Sequence, residues 1–219
     1  MIEAVIFDCD GLIVDTETAW YEAFCDIYRQ YGAELPIEKY VQCVGTDFRY
    51  FDPYKYLELC TGKTFRREEL EQELMHRHEM KMEQAQLRPG VESYLQEASE
   101  LGLKIGLASS SPRKWVMTYL QRYQIDAYFD TICTADDVEV IKPDPALYIL
   151  ACSRLGVSPE RALAFEDSVN GLEAARRAGL RTVVVPNPVT RHLDFGAYDR
   201  KIESMAHIRL RQLLDELKS

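Results

Sequence analysis

The length, composition and charge of the chain exclude several classes of protein. Its 219 residues are enough for one sizeable core, or for a core domain with a smaller insert. Charged residues make up 28% and hydrophobic residues 47% of the chain, proportions typical of a folded globular protein rather than a disordered one. The net charge of −10 argues against nucleic acid as a partner, and it requires any phosphate site to be locally positive.

From the same evidence we expect a cytoplasmic protein that does not cross a membrane. No apolar run approaches the roughly 20 residues that a spanning helix needs. Met1 leads directly into a predicted core strand, which leaves no room for a signal peptide. The six cysteines show neither a CxxC pair nor zinc-ligand spacing and lie in largely apolar surroundings, so we expect buried free thiols. No long apolar seam demands a dimer, and we expect a monomer.

The chain begins with a short apolar run and an acidic turn. Ala4 to Phe7 predicts a central parallel strand that is buried on both faces. Asp8 and Asp10 follow it, at the end of the strand where ligands bind in open α/β sheets. Two carboxylates at this spacing repel unless one is protonated or a cation joins them, and Mg²⁺ suits such oxygen ligands. With Gly11, the same residues could equally form an ordinary polar turn.

Residues 17–86 are predicted to form an all-helical insert. The aromatic and apolar residues of the first helix recur at helical spacing: Phe24, Ile27, Tyr28 and Tyr31. Further helices are predicted over residues 37–44 (ending near Gly45), 53–60 and 65–85. In the last of these, Leu70, Leu74 and Met75 are expected to face inward. The joints with the rest of the chain are predicted near residues 15–17 and 88–90.

From Pro89 onward, predicted helices and strands alternate. The strands are predicted over residues 103–108, 129–134, 162–165 and 182–185. The helices are predicted over residues 91–101, 114–123, 145–155 and 205–217. Another helix is predicted after the strand over 162–165, and it ends at residue 178. This alternation predicts a parallel sheet of about five strands, that is, an α/β, Rossmann-like doubly wound core made of residues 1–16 and 87–219. The GxGxxG and GxxxxGK[ST] motifs are absent, so nucleotide-cofactor chemistry is not indicated.

Polar groups follow four strand-like segments, where a parallel sheet would bring them to one edge. In chain order they are Asp8 with Asp10, Ser109, Lys142, and Glu166 with Asp167. Taken singly, each has an ordinary structural interpretation. Ser109 could cap a helix, Lys142 could be a solvated charge, and the acidic pair could form a capping turn.

Together these residues resemble a known signature. The string DxDGxxxDT over residues 8–16, followed by Glu17, resembles the first motif of the haloacid dehalogenase-like hydrolases. Within them it is most similar to the phosphatases related to beta-phosphoglucomutase. Ser109, Lys142 and the acidic pair at 166–167 follow in the order of the remaining motifs, and the helical insert resembles the cap domain. The resemblance covers all 219 residues.

The resemblance implies a role for each core residue. Asp8 would attack phosphorus and form an aspartyl-phosphate, while Asp10 would protonate the leaving alcohol and later activate water. Ser109 and the neighbouring Ser110 would receive the phosphoryl oxygens, and Lys142 would balance charge beside the nucleophile.

The resemblance also implies Mg²⁺ as the cofactor. Its ligands would be Asp8, the backbone carbonyl of Asp10 and Asp167, with Glu166 in or just outside the coordination sphere. Because the dehalogenases of the superfamily lack an acid two residues after the nucleophile, Asp10 favours phosphate esters over carbon–halogen bonds.

The cap is expected to select the substrate. Candidate contact residues are Thr16, Trp20, Arg49, and His76 or His78. Arg49 lies where sugar-phosphate members of the family place a phosphate-binding arginine. Beta-phosphoglucomutase has a histidine where this chain has Trp20, so plain hydrolysis is favoured over mutase activity.

The leading hypothesis is therefore a Mg²⁺-dependent phosphatase acting on a small phosphorylated metabolite, of the sugar phosphate or phosphoglycolate type. A hexose-phosphate mutase is the alternative within the enzyme class. A non-catalytic phosphate-binding module would be expected to have lost one of the core residues, and none is missing. A phosphorylated receiver domain would have no use for a helical insert after its first strand.

Overall fold

The computed structural model describes residues 1–44, 48 and 51–218, which divide into two compact units. The first unit comprises Met1–Val14, Leu87–Pro186 and Asp194–Ser219. The second comprises Asp15–Gln86 and Asn187–Leu193. The segment Asn187–Leu193 therefore belongs to the helical unit, whereas the sequence predicts it as part of the core.

A parallel sheet forms the centre of the first unit. Within the described residues it has six strands in the order β3-β2-β1-β4-β5-β6, and every neighbouring pair is parallel. The strands are β1 (Ala4–Phe7), β2 (Lys104–Ala108), β3 (Thr131–Cys133), β4 (Ala162–Glu166), β5 (Arg181–Val184) and β6 (Arg200–Lys201). The chain runs outward from β1 through β2 to β3 and then returns to the other side of β1. The direction of winding therefore reverses at β1, where ligands bind in doubly wound sheets.

The predicted α/β, Rossmann-like doubly wound fold is confirmed. Five strands were expected and lie within two residues of their predicted bounds. The sixth, β6, was not predicted, because two residues at the edge of a sheet carry no periodic signal.

The register of the sheet places the acidic residues at one edge. Phe7 pairs with Leu107 on one side and with Phe165 on the other. Asp8 and Glu166 therefore follow at the same level, and the Asp8 backbone N–H donates to the Phe165 carbonyl oxygen at 3.1 Å. All four residues of β1 are buried, as expected of a strand between two layers.

Five α-helices of the first unit cover the sheet. They are α5 (Val91–Glu100), α6 (Arg113–Arg122), α7 (Ala146–Leu155), α8 (Val169–Arg177) and α9 (Leu210–Glu216). On one face, Leu147 and Tyr148 of α7 pack with Ile6 and Ala164. The Phe165 ring stacks on Phe7 with centroids 4.9 Å apart. The predicted last helix is shorter than expected, since α9 begins at Leu210 rather than near 205.

The second unit contains helices and, among its described residues, no strand. Its helices are α1 (Thr16–Gln30), α2 (Ile37–Tyr40), α3 (Pro53–Thr61) and α4 (Arg67–Met82). Its core is rich in aromatic residues, among them Phe24, Tyr28, Tyr40 and Tyr54. The predicted helix over 37–44 is shorter than expected, and its expected end at Gly45 lies outside the described residues.

Helix α4 buries one narrow stripe and exposes the rest. The stripe consists of Leu70, Leu74, His78 and Met82, each four residues from the next. The expectation that Met75 faces inward was wrong. Met75 follows Leu74 directly, lies outside the buried stripe and is 52% exposed.

The six cysteines are free thiols, as predicted. The expectation that they are buried fails at Cys60, which is exposed near the end of α3, and is met only in part at the half-buried Cys25. Among the described residues, no helix combines the length and the hydrophobicity required to cross a membrane.

Candidate active site

A buried lysine joins two carboxylates at the end of the central strands. Lys142, in the loop between β3 and α7, donates from Nζ to Asp8 Oδ1 at 2.5 Å and to Glu166 Oε1 at 2.7 Å. The Lys142 side chain is only 5% exposed. Charged groups so far from water are stable only when paired, and here one ammonium is shared by two carboxyl groups.

This burial changes the acidity of both partners. It raises the pKa of the Asp8 carboxyl, an effect that Lys142 opposes and that the charges of Glu166 and Asp10 reinforce. Burial lowers the pKa of Lys142, but Asp8 and Glu166 more than offset this, and the pKa lies above its usual value. Lys142 is therefore a fixed positive charge beside Asp8.

Glu166 is held from several directions. Its Oε1 atom also accepts a hydrogen bond from the Tyr148 hydroxyl at 2.5 Å, and its Oε2 atom accepts one from Ser168 at 3.3 Å. Gly171 of α8 faces this carboxylate so closely that a Cβ atom there would lie 2.1 Å from it. The carboxylate thus occupies space that only a glycine leaves free.

Asp8, Glu166 and Asp167 form a buried acidic cluster. One carboxylate oxygen from each lies within 4.8 Å of the others, a spacing that could hold a metal ion. If all three are ionised, Lys142 neutralises only one of the three charges. A divalent cation would balance the other two, and oxygen donors of this kind suit Mg²⁺.

Both oxygens of the Asp10 carboxylate are engaged. The Trp115 indole N–H donates to Oδ1 at 2.7 Å, and the Ser111 hydroxyl donates to Oδ2 at 2.8 Å. Ser109 Oγ donates to the same Oδ2 atom at a longer 3.3 Å. The Asp10 side chain therefore faces the start of α6.

The serines at the end of β2 lie beside this carboxylate. Ser109 is fully buried, and its Oγ atom accepts from the Ser111 backbone N–H at 3.0 Å. The Ser110 hydroxyl is buried and has no hydrogen-bond partner among the described residues. A buried, unsatisfied hydroxyl is costly, and a bound polar group would satisfy it.

The turn that carries Asp10 is fixed by Arg88. Gly11 has a φ of 80°, a left-handed conformation that a residue with a side chain rarely adopts. Its backbone N–H donates to the Val14 carbonyl at 2.7 Å, and its carbonyl oxygen accepts from Arg88 Nη1 at 2.6 Å.

The substrate-contact candidates of the helical unit are placed as follows. Thr16 is the first residue of α1 and is buried. The Trp20 ring stacks on His78 with centroids 3.6 Å apart, and His78 is fully buried. His76 is exposed on the same helix as His78. Arg49 lies outside the described residues.

The structure brings together all six predicted core residues and adds five that sequence reasoning missed: Arg88, Ser111, Trp115, Tyr148 and Gly171. A signal for one pair was present, because Ser111 and Trp115 lie close after a predicted strand, near the edge of the sheet where ligands bind. Arg88 and Tyr148 contact the site through the tertiary fold, and Gly171 contacts it through the short connection from β4 to α8.

Comparison with known proteins identifies the family. The model of the haloacid dehalogenase-like hydrolase family matches residues 5–185 of this chain. The chain belongs to this family. The family is one of hydrolases, and together with the names of the relatives it supports the predicted class, a phosphoric monoester hydrolase.

Individual relatives match along nearly their whole length. The protein YhcW of Bacillus subtilis (strain 168) is 52% identical over 219 residues, covering 100% of this chain and 99% of YhcW. The phosphorylated carbohydrates phosphatase of Thermotoga maritima is 31% identical, covering 99% of both chains. A mutant of CbbY from Rhodobacter sphaeroides, solved in complex with xylulose-(1,5)bisphosphate, is 30% identical with a TM-score of 0.72, covering 95% of this chain and 97% of CbbY.

Proposed function

We propose that this chain is a Mg²⁺-dependent phosphatase that hydrolyses a small phosphorylated metabolite through an aspartyl-phosphate on Asp8. The observation that carries this proposal is the buried ion pair between Lys142 and Asp8, inside an acidic cluster with Glu166 and Asp167. A carboxylate held beside a fixed ammonium and a candidate metal site is suited to attack an anionic phosphate ester.

The donor set fits Mg²⁺. Asp8 and Asp167 would hold the ion with their carboxylates, and the Asp10 backbone carbonyl would be a third ligand. Because both oxygens of Glu166 already accept hydrogen bonds, Glu166 fits a place beside these ligands better than one among them. When bound, Mg²⁺ supplies positive charge that offsets the negative charge of the phosphoryl oxygens during transfer.

The chain's own residues would carry the reaction in two displacements. An oxygen of Asp8 forms a bond to phosphorus while the bond to the leaving alcohol breaks, and Asp10 gives its proton to that alcohol oxygen. A water then attacks phosphorus, its proton passes to Asp10, and the bond to Asp8 breaks. Ser109 and Ser110 would donate to the phosphoryl oxygens, which gives the unpartnered Ser110 hydroxyl a partner.

We further propose that residues 17–86 act as the cap that selects the substrate, with Thr16, Trp20 and Arg49 among its contacts, and that the protein acts as a monomer. A sugar phosphate or a similar small monoester is the favoured substrate class. It is supported by the relative named as a phosphatase of phosphorylated carbohydrates and by the sugar bisphosphate bound to CbbY.

A substrate panel tests the proposal. Phosphate release would be measured with and without Mg²⁺ against sugar phosphates, phosphoglycolate and nucleoside monophosphates. We expect release from a small group of related substrates, its loss in EDTA, and its loss in Asp8→Asn. Asp215→Asn, the same substitution at an exposed position of α9, is the matched control and should behave as wild type.

The outcomes separate the alternatives. Near-normal turnover by Asp8→Asn would remove the covalent mechanism. Conversion of a sugar phosphate to its isomer, only when a sugar bisphosphate is added, would identify a mutase instead. Tight binding of a substrate without any turnover would favour a phosphate-binding module.

A further inference from the structure

We propose that Trp115 is a positioning residue that orients the acid–base carboxylate of Asp10, and that it assigns the transferred proton to Asp10 Oδ2. This inference rests on the proposed function, because it concerns how Asp10 performs proton transfer. It begins with the contact between Trp115 Nε1 and Asp10 Oδ1, which at 2.7 Å is the shortest of the three donor contacts to this carboxylate.

The contact belongs to a regular stripe along one helix. Ser111 lies two residues before α6, and Trp115 and Tyr119 follow on the helix at intervals of four residues. The Tyr119 ring meets the Trp115 ring edge-on with centroids 4.9 Å apart, and Tyr119 is only 5% exposed. A bulky indole braced by a buried neighbour has few rotamers, so its N–H is held in place before substrate arrives.

The three donors differ in what substrate binding would do to them. Ser109 makes the longest hydrogen bond to Asp10, and in the proposed function its hydroxyl turns to the phosphoryl group. Trp115 and Ser111 would then be the donors that remain on the carboxylate, one on each oxygen. Two donors on two different oxygens fix the plane of a carboxylate, which a single donor cannot do.

The chemistry of the donors distinguishes the two oxygens. An indole N–H can only donate, so Oδ1 is the oxygen that stays unprotonated and accepts. A serine hydroxyl can either donate or accept, so Ser111 can reverse its hydrogen bond when Oδ2 gains a proton. Oδ2 therefore gives its proton to the alcohol oxygen as the phosphorus–oxygen bond breaks, and it takes a proton back from the attacking water.

The loss of kcat/KM on removal of the Trp115 N–H donor should be larger for a substrate whose leaving group must be protonated. The 4-nitrophenolate anion leaves without a proton, whereas phenolate is more basic and gains from protonation. The test compares kcat/KM for phenyl phosphate and 4-nitrophenyl phosphate in wild type and in Trp115→Phe, which keeps an aromatic ring against Tyr119 and removes the N–H donor. Because general acid catalysis contributes about 10²–10⁴-fold, loss of its orientation should lower kcat/KM for phenyl phosphate by about tenfold or more. The loss for 4-nitrophenyl phosphate should be clearly smaller.

A double-mutant cycle shows whether Trp115 acts through Asp10. In an Asp10→Asn background, Trp115→Phe should cause no further loss with phenyl phosphate. Equal losses for the two esters, no loss at all, or the same loss in the Asp10→Asn background would each overturn the proposal.

A second readout does not depend on turnover. The chain has two tryptophans, so ¹⁵N-labelled protein gives two indole N–H resonances, and the one lost in Trp115→Phe belongs to Trp115. Asp10→Ala should shift this resonance and leave that of Trp20 in place, and an unmoved Trp115 resonance would overturn the contact itself. If Asp8→Asn retains activity, the proposed function fails, but the indole measurement still tests the contact.

Discussion

Arg88 donates from Nη1 to the carbonyl oxygen of Gly11 at 2.6 Å, and so ties the point where the chain re-enters the first unit to the turn after Asp10. The same guanidinium donates to the carbonyl oxygens of Val185 at 2.9 Å and Pro186 at 2.7 Å. One planar, charged group thus fixes three backbone carbonyls from two separate segments. A lysine carries the same charge but lacks this rigid set of donors.

Arg88→Lys should therefore destabilise the protein although the charge is retained. Hydrogen bonds that involve a charged group contribute about 1.5–3 kcal/mol each, and a lysine would recover part of them, so we expect a net loss of about 2–3 kcal/mol. For a chain of this length, that corresponds to a fall in Tm of about 5–10 °C, measured by thermal unfolding. The control is Arg177→Lys, on the exposed face of α8, for which we expect no significant change. Equal Tm values for the two variants would show that the Arg88 contacts do not stabilise the fold.

Gly171→Ala should destabilise the protein although alanine is the better helix former. In an unconstrained helix this change is favourable by about 1 kcal/mol. Here the new Cβ would lie 2.1 Å from the Glu166 carboxylate, so either the helix or Glu166 has to move. We expect a lower Tm together with a large loss of phosphatase activity. Arg176→Ala, at an exposed position of the same helix, is the control, and a Tm above wild type for Gly171→Ala would contradict the close contact.

Lys142→Met should make the stability of the protein depend on Mg²⁺. Removal of one partner from a buried ion pair costs about 3–5 kcal/mol, because the remaining charges are left without compensation. Here Asp8 and Glu166 would both lose their shared ammonium. We expect a strong fall in Tm in EDTA, a partial recovery in Mg²⁺ that exceeds the Mg²⁺ effect on wild type, and little turnover. The matched control is Lys114→Met, at an exposed position of α6, and an identical response of the two variants would argue against the buried pair.

Because His78 is buried, we expect the helical unit to lose stability in mild acid. Burial lowers the pKa of His78 to about 4, and a hydrogen bond to the Thr16 backbone opposes this only in part. Unfolded histidine titrates near pH 6.5, so the unfolded state binds the proton first as the pH falls. The stability due to the neutral ring is fully present above about pH 6.5 and is lost progressively towards pH 4, by at most about 3 kcal/mol.

The variant His78→Phe keeps a flat ring against Trp20 and cannot take up a proton. The free energy of unfolding, measured by urea denaturation between pH 7 and pH 4, should depend less on pH in this variant than in wild type. His76→Phe, the same substitution at an exposed position of the same helix, is the control for the substitution itself. Parallel curves for wild type and His78→Phe would show that His78 does not titrate with folding.

Much of the fold could be predicted because its signals are local. Short apolar segments predicted five of the six strands formed by the described residues, among them the central strand from Ala4 to Phe7. The family and enzyme class were predicted from the order of the motifs and are confirmed by the comparisons. The misses have equally local causes, since the two-residue β6 is too short to carry a pattern and Met75 lies one residue away from the buried stripe of α4.

By itself, the sequence determined which residues the carboxyl edge of the sheet would carry, because a strand that ends in a polar residue points it to that edge wherever the strand lies in the sheet. The tertiary structure alone decided which of these groups touch. Lys142 contacts Asp8 and Glu166, and Trp115 contacts Asp10. The residues of the Lys142–Asp8 and Trp115–Asp10 pairs are more than 100 positions apart in the sequence. Side-chain contacts of this kind depend on strand order and on the path of the loops between strands. Strand order and loop path produce no periodic pattern in the sequence. For this reason, the contacts of Asp10 with Trp115 and of Glu166 with Lys142 could be identified only from the tertiary structure.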